Sequence, residues 1–183
     1  MQINRMQRRR IRLAVCVIIQ LVALSLRPAA ASQPLEGVPL PPPVGDVLLV
    51  VGGAITQTNV GSEAHLDLAA LRSLPTVTLK TTTVVTDGVK HFEGVLLRDL
   101  LLWVGAAGSY VEARALNNYT VDIPIKDFHD YDVILATHMD GNRLLTADKG
   151  PLWIVYPRDQ WRALQDIRYD YRWVWQLNQL TIK

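Results

Sequence analysis

Polar and β-branched residues alternate along positions 76–86, where the sequence reads TVTLKTTTVVT. A run rich in Thr and Val suits the pleated surface of a sheet, so the pattern predicts a strand over 76–86. Asp87-Gly88 predicts the turn that ends it, because glycine accepts a positive φ without steric cost. Phe92 then marks a short returning strand.

After Gly94 the apolar spacing changes from two residues to three or four. Val95, Leu100 and Trp103 belong to this new pattern, which predicts a mostly buried helix over 95–102. Gly105 and Gly108 follow and end the helix. The stretch 79–103 therefore joins a strand, a turn and a core helix, and the rest of the chain is organised around it.

The remaining pattern consists of short apolar runs bounded by Gly, Pro or Asn. It predicts an amphipathic helix over 66–74, ended by Pro75, and a polar connection over 126–132. It also predicts strands at 47–51, 110–116, 119–123, 133–139, 152–156 and 173–182, with turns at 117–118 and 140–142. Many short strands with two helices indicate an α+β fold, a β-rich mixed sheet or half-barrel with a few short helices.

The first 31 residues have the pattern of a secretory signal peptide. A lead with five arginines precedes the apolar run 13–26, and Ala29-Ala30-Ala31 offers a small-residue cleavage site. An uncleaved anchor is the alternative, but 14 residues are short for a membrane span. We expect a mature chain that starts near Ser32, is periplasmic or secreted, and contains no membrane span.

The mature chain is predicted to consist of a Pro-rich linker at 32–46 and one domain at 47–183. The five prolines of the linker favour extended polyproline II. The whole chain has 19 basic and 17 acidic residues, but six arginines precede residue 32, which leaves 13 basic residues and a net charge of −4. No basic patch remains to indicate nucleic acid. The single cysteine, Cys16, lies in the signal segment, so disulfides and thiolate chemistry are excluded from the mature chain.

Familiar catalytic and metal motifs are missing from the sequence. The histidines are too widely spaced for a local metal site, at positions 65, 91, 129 and 138. Asp127, Asp130, Asp132 and Asp140 lack the order of a calcium loop, and no serine has a nucleophile-elbow context. The sequence therefore predicts no catalytic residue and no metal ligand.

Four segments, in order, carry a resemblance to a known family. FEGVLLRDLL, LNNYTVDIP, VILATHMDG and KGPLWIVYP resemble the oxidoreductase molybdopterin-binding domain, which has the sulfite oxidase fold. The match covers most of 47–183 and is similar to short exported members that have only this domain. The resemblance implies strands that cradle a pterin cofactor and one cysteine thiolate bound to molybdenum.

The chain departs from that family in two places. In the larger enzymes the metal-binding cysteine follows a strand resembling Val77 to Lys80, and here Thr81, Thr82 and Thr83 follow it. A hydroxyl is a poor substitute for a soft thiolate. The Gly-x-Lys-type segment associated with the pterin phosphate is also absent, and 158–172 stands in its place with acids between the bases.

The resembling fold would bring together the strand at 81–83, the turn at 117–119 and the loop after Pro157. The candidate ligand-binding residues are therefore Thr81, Thr83, Asn118, Tyr119 and Arg158. Each also has a purely structural interpretation as strand surface, turn former, core aromatic or surface charge. The tryptophans at 153, 161, 173 and 175 are expected in the core.

Two functions of different classes follow from the sequence. The first is a cofactor-free ligand-binding or sensory accessory module, whose partner is a small ligand or a periplasmic or membrane protein such as a sensor. The alternative is a molybdopterin-dependent oxidoreductase with unusual metal ligation. Co-purifying pterin would distinguish the second from the first.

Overall fold

A computed structural model describes residues 37–183, so the predicted signal peptide lies outside the described residues. The strands are β1 Val47–Gly53, β2 Ala64–Asp67, β3 Thr76–Thr83, β4 Thr86–Leu96, β5 Tyr110–Ala115, β6 Thr120–Pro124, β7 Ile134–Met139, β8 Asn142–Arg143, β9 Trp153–Val155 and β10 Leu177–Ile182. The α-helices are α1 Leu68–Ser73, α2 Leu97–Trp103, α3 Ile125–Asp130 and α4 Ile167–Asp170, and a 3-10 helix spans Arg162–Gln165. None of these helices is long and apolar enough to cross a membrane.

The strands form two sheets, which confirms the predicted α+β class. The first has the order β2-β1-β10-β5-β6, in which β1 and β10 are parallel and the other pairs antiparallel. The second has the order β3-β4-β7-β8, with β9 also paired to β7. Inward-facing apolar side chains of both sheets, such as Leu49, Phe92, Leu135 and Leu180, belong to one buried cluster. Burial of this cluster is the main stabilising contribution to the fold.

The central hairpin differs from the prediction at its turn. Thr83 pairs with Thr86, so Val84 and Val85 form the loop. The predicted turn at Asp87-Gly88 is therefore wrong. Thr82 pairs with Val89, and Gly88 takes its positive φ of 67° at a bulge inside β4. The glycine was correctly associated with left-handed backbone, but a bulge needs that conformation as much as a turn does.

The helices confirm one prediction and correct two. The buried helix is α2, and Gly105 follows it with a φ of 61°. The predicted helix at 66–74 is shorter, because β2 occupies its first residues and the Asp67 side chain caps α1 by accepting a hydrogen bond from Ala70 N at 2.8 Å. The polar connection at 126–132 is instead α3, which buries Phe128 against the core.

Residues 37–46, from the predicted linker, carry no helix or strand but contact the domain. Leu40 is buried, and Trp103 Nε1 donates to the Val38 carbonyl at 3.0 Å. Val44 and Gly45 donate their N–H groups to Asp67 Oδ2 at 2.8 and 2.9 Å. The hydrogen bond from Ala70 N, followed by those from Gly45 and Val44, favours the carboxylate and lowers the pKa of Asp67. The predicted domain boundaries themselves stay predictions.

Candidate functional site

Thr81 and Thr83 lie near the end of β3 on its buried face, with exposed fractions of 0% and 8%. They share that face because side chains two residues apart on a strand point the same way. The Thr81 hydroxyl accepts a hydrogen bond from Asp159 N at 3.3 Å and donates to the Thr82 carbonyl at 3.3 Å. The Thr83 hydroxyl lies 2.8 Å from that of Thr86. Both hydroxyls are thus engaged by the protein itself.

The loop after Pro157 approaches this strand, as the resemblance implies. Asp159 accepts two hydrogen bonds from Thr82, one from its N–H at 2.7 Å and one from its hydroxyl at 2.6 Å. We call the set Thr81, Thr82 and Asp159, with its three cross-loop hydrogen bonds, the Thr–Asp closure. Arg158 is the neighbouring residue, and its Nε is buried without a hydrogen-bond partner among the described residues. Thr81, Thr83 and Arg158 therefore belong to one region.

Asn118 and Tyr119 belong to a second region, at the turn between β5 and β6. Asn118 has a φ of 63° and donates its N–H to the Ala115 carbonyl at 2.9 Å, so it forms the turn as predicted. The Tyr119 hydroxyl donates to the Tyr171 carbonyl at 2.9 Å. Burial, and secondarily the charge of Tyr171, raise the pKa of Tyr119. Within 37–183 no hydrogen bond links this turn to Thr81, Thr83 or Arg158.

A cavity of about 260 Å³ lies between this turn and the segment before β10. We call it the aromatic pocket, and its lining residues are Ala115, Asn117, Tyr119, Asp170, Tyr171, Trp173, Val174 and Trp175. Trp173 is 3% exposed, whereas Tyr119, Tyr171 and Trp175 are partly open to solvent. Two polar atoms of lining residues, Asp170 Oδ1 and Trp173 Nε1, are buried without a hydrogen-bond partner in the described part of the chain. Such atoms are uncommon in folded proteins, and here both belong to residues that line a cavity.

The segment that lines the pocket is fixed to α3 through a polar network. Asp127 Oδ2 accepts hydrogen bonds from the Tyr156 hydroxyl at 3.0 Å and from an Arg172 guanidinium nitrogen. Arg172 also stacks on Tyr169, 4.7 Å from the ring centroid. Burial, followed by the Asp127 charge, raises the pKa of Tyr156 well above its usual value. Through these contacts Arg172 anchors residues 170–175, the segment that precedes β10.

Sequence reasoning missed several of these residues. In the sequence, Asp159 and Asp170 stand only as acids between bases, and nothing local indicates their roles. Two of the four tryptophans expected in the core are not there, since Trp161 is 47% and Trp175 37% exposed. A usable signal was present at 170–175, where two tryptophans two residues apart follow a carboxylate and a tyrosine.

Comparison with known proteins shows the family of the chain. The model of the oxidoreductase molybdopterin binding domain family matches residues 49–161, more than half of the chain, and the protein belongs to this family. Among solved structures it is similar to the sulfane dehydrogenase SoxCD from Paracoccus pantotrophus, with a TM-score of 0.56 and 20% sequence identity. That match covers 75% of this chain but 38% of the SoxCD chain, and it supports the fold alone. A search of curated proteins finds no match.

The residues at the end of β3 do not fit the molybdenum ligation implied by the family resemblance. Thr81 stands in the expected thiolate region with its hydroxyl engaged by Asp159, and the sequence has no cysteine after Cys16. Across residues 37–183 no group of three or more His, Cys, Asp or Glu side chains is arranged to hold a metal ion. A soft thiolate is the ligand type that this chemistry requires. The residues at the end of β3 therefore provide no thiolate ligand for a molybdenum cofactor.

Proposed function

We propose that this protein is an exported, cofactor-free binding module built on a molybdopterin-binding domain. It binds a small ligand, and in that state acts as an accessory to a periplasmic or membrane protein such as a sensor. The observation that carries the proposal is the Thr–Asp closure. The family resemblance places the metal-binding cysteine in this region. Here the protein's own groups form hydrogen bonds with one another in that region instead.

The chemistry of the closure supports this function. A threonine hydroxyl stays protonated at neutral pH and offers a weak, hard oxygen where a soft thiolate is needed. The hydroxyl of Thr81 also accepts the Asp159 N–H, so ligation of a metal would compete with that bond. A fold does not determine an activity, and a retained scaffold can bind other molecules.

A molybdopterin-dependent oxidoreductase is the second candidate, and family membership favours it. It requires a metal environment without a protein thiolate. It also requires the Thr–Asp closure to open when the cofactor is loaded. These two requirements make it the weaker proposal.

The deciding experiment expresses the full-length chain and recovers the exported protein from the periplasm of a host that loads a control molybdenum enzyme. Molybdenum is measured by elemental analysis and pterin by fluorescence after acid oxidation. We expect neither above background, and an N-terminus near Ser32. Near-stoichiometric molybdenum and pterin would overturn the cofactor-free function, and retention of the intact chain in the membrane fraction would overturn the export.

Three cysteine variants sharpen the result. Thr81→Cys and Thr83→Cys each place a thiol in the region where the resemblance expects the metal ligand, and Thr78→Cys places one on the exposed side of the same strand. We expect all three variants to remain free of molybdenum, because the protein's own hydrogen bonds engage the groups around Thr81. Metal uptake by Thr81→Cys or Thr83→Cys, but not by Thr78→Cys, would show that a cofactor pocket is intact and would favour the oxidoreductase.

A further inference from the structure

We propose that the aromatic pocket binds a small organic cation, such as a quaternary ammonium group attached to a short chain with a neutral hydrogen-bond acceptor. Choline has this chemistry. The inference rests on the proposed function, because it names the ligand class of the binding module. The aromatic rings, the charges and the volume of the pocket all favour such a ligand.

Four aromatic side chains contribute to the pocket. Tyr119, Tyr171, Trp173 and Trp175 line one cavity, in which Trp173 is buried and the other three are 42%, 60% and 37% exposed. Aromatic faces attract cations through their quadrupoles, and groups of such rings recognise quaternary ammonium ligands. The Tyr119 hydroxyl is bonded to the Tyr171 carbonyl, which holds two of the ring-bearing segments together before a ligand arrives.

The size of the cavity limits the ligand. About 260 Å³ lies just below the range of roughly 300–1,000 Å³ usual for drug-sized molecules. A compact cation fits this volume. The pocket is therefore suited to a ligand smaller than most drug-sized molecules.

The charges favour a cation over an anion. Asp170 lines the pocket, and its carboxylate has no ion-pair partner among the described residues. The two nearby cations have carboxylates of their own, since Lys149 pairs with Asp148 at 3.2 Å and Arg172 pairs with Asp127. The charge left without compensation at the pocket is therefore negative.

One of the rings already accepts a cation from within the chain. Lys149 Nζ lies 5.5 Å from the centroid of the Trp175 ring. The unpartnered donor Trp173 Nε1 is itself buried, so it would donate to an acceptor on the ligand once its side chain turns toward the cavity. A hydroxyl suits this position better than a carboxylate, which Asp170 would repel.

The test is calorimetric titration of the exported full chain, with its molybdenum content measured first. The probes are choline and its uncharged isostere 3,3-dimethyl-1-butanol, in which carbon replaces the nitrogen. Choline should bind about tenfold more tightly than the isostere, because only the cation interacts with the rings and Asp170. Quenching of tryptophan fluorescence gives an independent measurement of the same affinity.

Matched variants locate the site. Asp170→Asn and Trp175→Leu should each weaken choline binding by about tenfold. Their controls are Asp132→Asn, at an exposed carboxylate paired with Arg98, and Trp161→Leu, at an exposed tryptophan that packs on Tyr131. The controls should bind choline as the wild type does, and circular dichroism checks that every variant is folded.

The outcomes separate this inference from the proposed function. Absence of choline binding up to about 10 mM, or equal binding of the isostere, overturns the cation site, since a small ligand in a formed pocket should bind below that concentration. A molybdenum-free protein with that result still supports a cofactor-free module. A molybdenum-loaded protein overturns the proposed function, while its choline titration still decides the cation site on its own terms.

Discussion

The Thr–Asp closure and the aromatic pocket use their polar groups in opposite ways. At the closure, the Thr81 hydroxyl, the Thr82 N–H and hydroxyl and the Asp159 carboxylate and N–H all pair with one another. At the pocket, Asp170 Oδ1 and Trp173 Nε1 have no partner within residues 37–183. The closure satisfies its own polar groups, although the neighbouring Arg158 Nε is buried without a partner among the described residues, whereas at the pocket the unpartnered atoms belong to residues that line a cavity.

The contrast indicates that a member of a family can carry its binding capacity at a place other than the family's cofactor site. Most buried polar groups in proteins are hydrogen-bonded, so unpartnered ones indicate unused binding capacity. In this chain two such atoms, Asp170 Oδ1 and Trp173 Nε1, belong to residues that line the aromatic pocket between the β5–β6 turn and residues 170–175. The family assignment describes the fold, while the unpartnered polar groups indicate where this protein could bind a ligand.

The largest expected effect comes from removing the support of the aromatic pocket. Asp127→Ala leaves the Arg172 guanidinium and the Tyr156 hydroxyl without their shared acceptor in a largely buried place. We expect a loss of about 3 kcal/mol in the free energy of unfolding, measured in urea. The control is Asp130→Ala, which removes only an exposed pair with Lys126 and should cost less than about 1 kcal/mol. Equal losses in the two variants would show that the network does not anchor residues 170–175.

A smaller effect is expected at the closure. Thr81→Val keeps the shape of the side chain but leaves the Asp159 N–H without its acceptor, which should cost about 1–2 kcal/mol in the free energy of unfolding. The amide of Asp159 should also exchange its hydrogen faster with D₂O. Thr78→Val, at an exposed position of the same strand, is the control and should change neither quantity. An unchanged exchange rate at Asp159 in Thr81→Val would contradict the closure.

The local sequence pattern predicts those elements whose burial or backbone conformation depends on residues close together in the chain. The strand at Val47–Gly53, the helix Leu97–Trp103 and the turn at Asn118 all follow from spacing or from a residue that tolerates left-handed backbone. The loop Val84-Val85 could not be predicted in this way. Two valines carry no turn signal, and only pairing of Thr83 with Thr86 selects them.

Helix α3 shows the same limit. Ile125–Asp130 has an ordinary polar composition, and its helical state depends on Phe128 packing into the core and on Asp127 bonding to Tyr156 and Arg172. These contacts cross 29 and 45 residues of sequence. No local pattern contains them.

The candidate site was predicted only in part for a related reason. The resemblance supplied Thr81 and the approach of the loop after Pro157, because a family conserves the course of its backbone. It could not supply the aromatic pocket, whose rings and carboxylate are side-chain features of this chain. The sequence shows Trp173 and Trp175 as an alternating pair, but only the structure shows that Trp175 is 37% exposed beside the Tyr119 turn.

The smallest expected effect distinguishes the role of the Tyr119 hydroxyl from the role of the aromatic rings in the pocket. Tyr119→Phe removes the hydrogen bond to the Tyr171 carbonyl and should cost about 0.5 kcal/mol near neutral pH, the low end for such bonds because this one is exposed. Folding raises the pKa of Tyr119 above its ordinary value of 10.0. The stability that the protonated Tyr119 hydroxyl contributes is therefore fully present below pH 10.0, and it is lost as the pH rises through the higher pKa of the folded state. The difference in unfolding free energy between wild type and Tyr119→Phe should therefore diminish in alkali.

Tyr110→Phe is the matched control, since Tyr110 is 48% exposed and lies at the start of β5, outside the aromatic pocket. It should not show the loss in unfolding free energy near neutral pH, because the Tyr110 hydroxyl makes no side-chain hydrogen bond within residues 37–183. Choline affinity in Tyr119→Phe should stay within about twofold of wild type, because phenylalanine keeps an aromatic face for the cation. A larger loss of affinity would show that the Tyr119 hydroxyl, through its bond to Tyr171, shapes the pocket, and that the rings alone do not determine its selectivity for a cation.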